Sequence, residues 1–273
     1  MTMASATSTE SAPVGTGAVD RLPLYDRVAI WGGLAALSAL AWLYLARMAT
    51  AMAGMAGMAG MAGMAMPAAV HRWSLGDATI TFVMWAVMMA AMMTPSAGPM
   101  VMTYARIARA RRESARASIA LFVAGYILVW TAFSAAAAII QEALAQAALI
   151  SDSMRLAPLA GAAILALAGA YQLSPLKRRC LGRCQSPMGF LMTSWREGRL
   201  GALRMGIRHG AWCVGCCWLL MAVLFAVGVM NLAWVAALSA FVLIERATRW
   251  GAILATASGY ALLASALTLA ILR

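Results

Sequence analysis

The chain has 273 residues, of which 64% are hydrophobic and 11% are charged, and its formal net charge is +12. A soluble domain usually carries about 25% charged residues, so the apolar surface here exceeds what one water-soluble core could enclose. Lipid accepts such surface, and the composition therefore predicts a polytopic membrane protein with the bilayer as its main partner. Nucleic-acid binding is excluded because no basic face lies on a soluble domain, and the basic excess is expected in cytoplasmic loops instead.

The first 27 residues are rich in Ser, Thr, Ala and Gly and predict a disordered cytoplasmic segment, followed by a transmembrane domain over residues 28–273. The apolar run from Val28 to Ala46 predicts the first span, since about 20 residues cross a hydrocarbon core of about 30 Å. A cleaved signal peptide is the alternative, but its apolar stretch is usually about 7–15 residues, so we favour an uncleaved anchor.

Six further apolar runs follow, and each predicts one span. The first of them begins near Ala78. The other five cover, in chain order, about Ser118–Ile140, Leu156–Leu173, His209–Met230, Leu232–Ile244 and Trp250–Leu272. Pro95 and Pro99 are expected to interrupt the second span. Residues 174–208 form a predicted cytoplasmic loop, in which Met188–Ile207 is typical of an amphipathic surface helix because arginines interrupt its apolar pattern.

The positions of the basic residues predict the orientation of the bundle. With the N-terminus inside and the C-terminus outside, 17 of the 21 lysines and arginines fall in cytoplasmic segments. The opposite orientation would place those 17 outside, against the positive-inside rule. We therefore predict an all-α transmembrane bundle of about seven spans.

A cysteine cluster at the start of the fifth span is the strongest local pattern, and from His209 it reads HGAWCVGCCW. Residues four apart stack on one helix face, so His209, Cys213, Cys217 and Met221 form one column with Cys216 beside it. Thiolate, thioether and imidazole suit soft or borderline metals, chiefly Cu(I), with zinc as the alternative. Packing of free thiols and redox chemistry of the Cys213/Cys216 pair stay open, although a cytoplasmic position favours metal over a stable disulfide.

Two further sets of sulfur atoms are candidates for the same site. Cys180 and Cys184 follow the fourth span at the same predicted membrane face, beside basic residues that favour thiolate. Methionines repeat every four residues in two columns of the second span, at Met84, Met88 and Met92 and at Met89 and Met93. Methionine ordinarily fills cores, but this density, at the depth of the cysteines, suggests a buried metal site or a short pathway.

The methionine-rich segment at residues 51–67 reads AMAGMAGMAGMAGMAMP and is predicted to be a loop outside the cytoplasm. Its thioethers could bind extracytoplasmic Cu(I), and an apolar linker lying on the membrane is the alternative. Glu245 and Arg246 are expected to form an ion pair at the interface. The sequence contains no catalytic triad, paired carboxylates, phosphate-binding loop or nucleotide motif, so we assign no catalytic residue.

At these residues the chain resembles a bacterial family of predicted metal-binding integral membrane proteins. The matching segments are MWAVMMAAMMTPS from Met84, YQLSPLK from Tyr171 with Cys180 and Cys184, PMGF from Pro187, WREG from Trp195, GAWCVGCCW from Gly210 and GVMN from Gly228. They extend over about residues 24–250. The resemblance implies a metal binder of the bacterial inner membrane without an established reaction. The family's usual acidic-Lys pair is Glu245-Arg246 here, and the histidine common in the outer loop of relatives is nearly absent, which favours Cu(I) over Cu(II).

We therefore expect a multi-pass inner-membrane protein that binds, delivers or transports Cu(I). A membrane thiol-disulfide oxidoreductase and a non-catalytic accessory subunit are the alternatives. The expected partners are a periplasmic metal chaperone or other membrane subunits.

Overall fold

A computed structural model describes residues 22–61, 74–111, 115–150 and 156–272. In these ranges the chain is all-helical and contains no strand, which confirms the all-α part of the predicted fold class. The helices are α1 Leu24–Met61, α2 Leu75–Ala110, α3 Ala115–Gln146, α4 Pro158–Leu173, α5 Pro175–Gln185, α6 Pro187–Ser194, α7 Gly198–Val227, α8 Leu232–Ala247 and α9 Gly251–Ile271.

Five of these helices, α1, α2, α3, α7 and α9, are long and apolar enough to cross a membrane. A sixth crossing is formed if α4 and α5, which are bent by 65° at Ser174, act as one span. Two helices remain: α6 has 8 residues, and α8, which contains the predicted sixth span, has 16. At about 1.5 Å per residue α8 is shorter than a hydrocarbon core of about 30 Å. Seven spans and the inside position of the N-terminus stay predictions.

The first helix extends further than its apolar run. We expected a loop from residue 51, but α1 continues through the first methionine repeats to Met61. Alanine and methionine are good helix formers, which accounts for the extension despite the intervening glycines. Residues 62–67 of the predicted loop, and residues 1–21 of the predicted disordered segment, lie outside the described residues.

The second helix is continuous through Pro95 and Pro99, which corrects the predicted interruption. A proline lacks the N–H that would bond to the carbonyl four residues earlier, so Pro95 leaves the carbonyl of Ala91 without its helical donor. Ser38 of α1 donates its hydroxyl to that carbonyl at 2.9 Å. A neighbouring helix therefore supplies the bond that the proline removes.

The predicted amphipathic helix over Met188–Ile207 is also corrected. α6 ends at Ser194 and Trp195 is extended, with φ −58° and ψ 132°. Gly198 then has φ +77°, a conformation that favours glycine, and α7 begins there. The second half of the predicted surface helix thus belongs to the same helix as the cysteine cluster.

Small residues allow the central helices to approach closely. α7 packs along α3, and α4 packs along α9. A Cβ atom at Gly206 of α7 would overlap the backbone of Phe122 in α3, and one at Gly169 of α4 would stand 2.8 Å from the carbonyl oxygen of Gly259 in α9. Close approach through small residues is typical of helix pairs in membranes. It places Tyr126 of α3 beside the cysteines of α7.

Candidate metal centre

Three thiols of α7 are buried on one helix face. Cys213, Cys216 and Cys217 are each no more than 1% exposed. Their spacing of three and four residues brings them together over one turn of helix. All three belong to one apolar core that also contains the methionines of α2.

The three sulfur atoms face the guanidinium of Arg246, in the last turn of α8. Nη1 donates to Cys213 Sγ at 2.6 Å, and Nη2 donates to Cys216 Sγ at 3.1 Å and to Cys217 Sγ at 3.0 Å. Nη2 also donates to the Cys213 carbonyl at 3.0 Å, and Nη1 to Ser96 Oγ of α2 at 2.9 Å. Each Nη atom carries two hydrogens, so Nη1 can donate one to each of its two acceptors, whereas Nη2 shares two hydrogens among three acceptors.

Hydrogen bonds distinguish Cys213 from the other two thiols. Cys216 and Cys217 each donate to the Cys213 carbonyl oxygen, at 3.1 and 3.3 Å. The sulfur of Cys213 instead has the shortest contact with Arg246 and lies 3.1 Å from the Tyr126 hydroxyl. Since charge-assisted hydrogen bonds are the short ones, Cys213 makes the strongest of the three sulfur contacts with the guanidinium.

Helix α5 brings a fourth sulfur to this position. Cys184 Sγ lies 3.9 Å from Cys216 Sγ. Cys180, one turn earlier, is buried against α7 at Gly215, where a Cβ atom would stand 3.2 Å from its sulfur. We call Cys184, Cys213, Cys216 and Cys217 the thiol cluster, and the thiol cluster with Arg246 the thiol–guanidinium centre.

A buried ion pair flanks the centre. Lys177 of α5 and Glu245 of α8 are both 0% exposed, and Lys177 Nζ lies 2.8 Å from Glu245 Oε2. Lys177 also donates to the Cys216 carbonyl at 2.6 Å. Our expectation that Glu245 pairs with Arg246 was wrong. Successive helix residues point about 100° apart, so Glu245 meets α5 while Arg246 meets α7.

His209, one turn before Cys213, lies among aromatic rings. It is 3% exposed and stacks on Phe122 and Tyr126, with ring centroids 6.1 and 5.6 Å away. Phe190 closes a third side edge-on at 5.6 Å. The imidazole Nδ1 is buried without a hydrogen-bond partner. His209 as a metal ligand stays a prediction.

The predicted methionine ligands are all buried in the same core as the thiol cluster. They are Met84, Met88, Met89, Met92 and Met93 of α2 and Met221 of α7. The backbones of α2 and α7 do not pack closely, and long side chains fill the space between them. Trp85 and Phe225 meet across it with ring centroids 5.1 Å apart. Metal binding by these thioethers stays a prediction.

In the part of the chain that the structure describes, no group of three or more His, Cys, Asp or Glu side chains is arranged to hold a metal ion as it stands. At the thiol–guanidinium centre, the place where three sulfur atoms converge is taken by the Nη atoms of Arg246. The donor type nevertheless suits a soft cation, because several thiols lie together and away from water.

The sequence profile of the PpoB2 family, described as copper chaperones, matches residues 82–269. This range is more than half of the chain. The chain belongs to this copper chaperone family. No curated protein and no solved structure matches it. The matched range contains the methionine columns of α2, the thiol cluster and Arg246. It agrees with the metal-related family predicted from the sequence.

In this member of the copper chaperone family, sequence reasoning missed the two buried cations. A signal for Lys177 was present, because Lys177, Cys180, Leu181 and Cys184 follow the spacing of one buried helix face. Arg246 continues a similar stripe on α8, four residues after buried Val242. A basic residue on an apolar stripe indicates a buried charge with a specific partner.

Proposed function

We propose that this protein is a membrane-embedded Cu(I) carrier that holds the ion between the sulfur atoms of Cys213, Cys216 and Cys217, with Cys184 as a fourth sulfur. One observation carries the proposal: three buried thiols of a copper chaperone family member converge on a single position that already holds a cation. Convergent sulfur donors around a cation are what a soft metal ion requires.

The family favours Cu(I) over zinc, because it is described as a family of copper chaperones. Sulfur ligands suit both ions, and structural zinc is held by four ligands in a closed tetrahedral site. Here three sulfurs are within 3.1 Å of Arg246 Nη atoms, and Cys184 Sγ lies 3.9 Å from Cys216 Sγ as the fourth sulfur.

Five apolar helices support a multi-pass position in a membrane. We place the protein in the bacterial inner membrane, with the thiol cluster in the cytoplasmic half and the methionine repeat outside. The buried methionines of α2 then lead from the outer side toward the cysteines, and a periplasmic metal chaperone is the proposed donor of the ion. Thioethers along such a path select Cu(I), as thiolates do.

Elemental analysis of the purified full-length protein tests the proposal. Loaded anaerobically with Cu(I), the wild type is expected to retain stoichiometric copper. The triple variant Cys213→Ser, Cys216→Ser, Cys217→Ser is expected to retain none. Cys180→Ser is the matched control, since that thiol packs against Gly215 outside the thiol cluster, and it should keep its copper. Equal copper in wild type and triple variant would overturn the proposal.

A membrane thiol oxidoreductase is the second candidate, favoured by the approach of Cys184 to Cys216 at 3.9 Å. It predicts that alkylation before and after reduction gives different protein masses. Cys184→Ser should abolish that difference. Identical masses in the wild type would eliminate this candidate and leave the copper proposal untouched.

A further inference from the structure

We infer that Arg246 is the resting cation of the thiol–guanidinium centre: its guanidinium fills the metal position while no copper is bound, and Cu(I) binds by displacing it from the sulfur atoms. The inference rests on the proposed function and adds a residue that carries no metal-ligating atom. Arg246 is thus a positioning residue that determines how the site is kept and opened.

The geometry makes guanidinium and metal mutually exclusive. Arg246 Nη2 lies 3.1 and 3.0 Å from the sulfurs of Cys216 and Cys217, and Nη1 lies 2.6 Å from that of Cys213. A thiolate–metal bond is about 2.3 Å long, taking zinc as the guide. An ion bonded to all three sulfurs on the side that faces α8 would therefore overlap the Nη atoms. Two positive charges at such a distance also repel each other strongly away from water.

The buried charges explain why the guanidinium is there. Lys177 is neutralised by Glu245, at 2.8 Å. The described contacts of Arg246 are the three sulfurs, one carbonyl oxygen and one hydroxyl, so the sulfurs are its most numerous partners. A buried charge without a partner is strongly destabilising. When copper arrives, one monovalent cation takes the place of another at the same sulfurs.

The surroundings allow the side chain to leave without undocking α8. Gln185 Nε2 donates to the carbonyls of Glu245 and Thr248, at 2.8 and 3.0 Å, and the Lys177–Glu245 pair holds the same turn. None of these contacts uses the Arg246 side chain. Arg246 lies one residue before the helix ends and is 8% exposed, so its path to the end of α8 is short.

An arginine-specific dicarbonyl reagent tests the inference on the purified full-length protein, with mass spectrometry of the α8 peptide before and after loading with Cu(I). Copper is expected to raise the modification rate of Arg246 by about tenfold or more, because reaction no longer waits for a buried side chain to open. Arg249 is the internal control, since it is exposed and stacks on Trp250 at 5.1 Å. Its rate should not change with copper.

Three outcomes are distinguishable. If copper binds and Arg246 stays as protected as before, the guanidinium is not displaced and the inference is overturned, while the proposed function stands. If the wild type binds no copper, the proposed function fails and the inference with it. In the triple cysteine variant copper should leave the Arg246 rate unchanged, and an equal rise there would assign the effect to copper bound elsewhere and also overturn the inference.

Discussion

Lys177 and Arg246 are both buried cations beside the same turn of α7, but their partners differ in kind. Lys177 is joined to a carboxylate, Glu245, and to the carbonyl of Cys216. Arg246 is joined mainly to thiols, which are also metal ligands. The lysine contacts would persist whether or not metal is bound, whereas the arginine contacts compete with metal for the same atoms.

The Lys177–Glu245 pair is therefore a structural contact, whereas the contacts of Arg246 with the thiols can be exchanged for contacts with metal. The Lys177–Glu245 pair links α5 to α8 and holds the backbone of α7 at Cys216, so it keeps three helices in register. Arg246 stabilises the metal-free protein through its contacts with the cysteine sulfurs, and these sulfurs must be free of Arg246 to bind Cu(I). Loss of the Lys177–Glu245 pair should mainly lower the stability of the protein. Loss of the Arg246 contacts should mainly change its affinity for copper.

The largest expected effect comes from breaking the Lys177–Glu245 ion pair. Glu245→Gln keeps the size of the side chain but leaves Lys177 as a buried unpaired charge, and removing one partner of a buried pair costs about 3–5 kcal/mol. We expect a large fall in the thermal unfolding temperature in detergent. The control is Glu197→Gln, whose pair with Arg111 is exposed and should contribute at most about 1 kcal/mol. Equal stability of the two variants would mean that Lys177 does not depend on Glu245.

Copper affinity should fall steeply on loss of Cys213, because it is a proposed sulfur ligand of the ion, and the Tyr126 hydroxyl lies 3.1 Å from its sulfur. Loss of outer-shell groups typically weakens metal binding about 10–100-fold, so Cys213→Ser should weaken Cu(I) binding by about 100-fold or more. Competition with a Cu(I) chelator measures this. Cys180→Ser should change the affinity for Cu(I) by less than about threefold. Cys180 lies outside the thiol cluster, and outer-shell groups act through their contacts with the metal ligands. A larger loss of affinity in Cys180→Ser than in Cys213→Ser would place the metal site at Cys180 of α5.

Tyr126 tests whether the hydroxyl beside Cys213 supports the site. It lies 3.1 Å from Cys213 Sγ and 3.0 Å from the Met93 carbonyl, so its one proton serves one of the two. Tyr126→Phe should weaken Cu(I) binding by about tenfold, as removal of an outer-shell group does. Tyr260→Phe, on an exposed side chain, is the control and should have no effect. Unchanged affinity in Tyr126→Phe would show that the hydroxyl serves Met93 alone.

Much of the helix pattern could be predicted from the sequence, because apolar runs of about 20 residues leave few alternatives. The column of Cys213 and Cys217 followed from helix periodicity alone. The position of Arg246 on the stripe of Val242 indicates its burial, but its partners could not be predicted, since only the docking of α7 places the thiols beside it. Lys177 likewise differs from the exposed Arg178 and Arg179 only through the face that α5 presents.

Ser96→Ala gives the smallest expected effect. It is also the sharpest test of the difference between Lys177 and Arg246, because it should raise the affinity for Cu(I), whereas Cys213→Ser and Tyr126→Phe should lower it. Ser96 Oγ accepts from Arg246 Nη1 at 2.9 Å and donates to the Met93 carbonyl at 2.8 Å, and it contributes no sulfur, so it supports the resting cation without being a proposed metal ligand. A hydrogen bond of this kind contributes about 0.5–1.5 kcal/mol, and its loss should make Cu(I) binding tighter, by about twofold at the low end of that range. Chelator competition measures the change, with Ser258→Ala as a control that bonds Gln172 instead. Weaker copper binding in Ser96→Ala would mean that Ser96 supports the loaded site, and Arg246 would then act with copper and not against it.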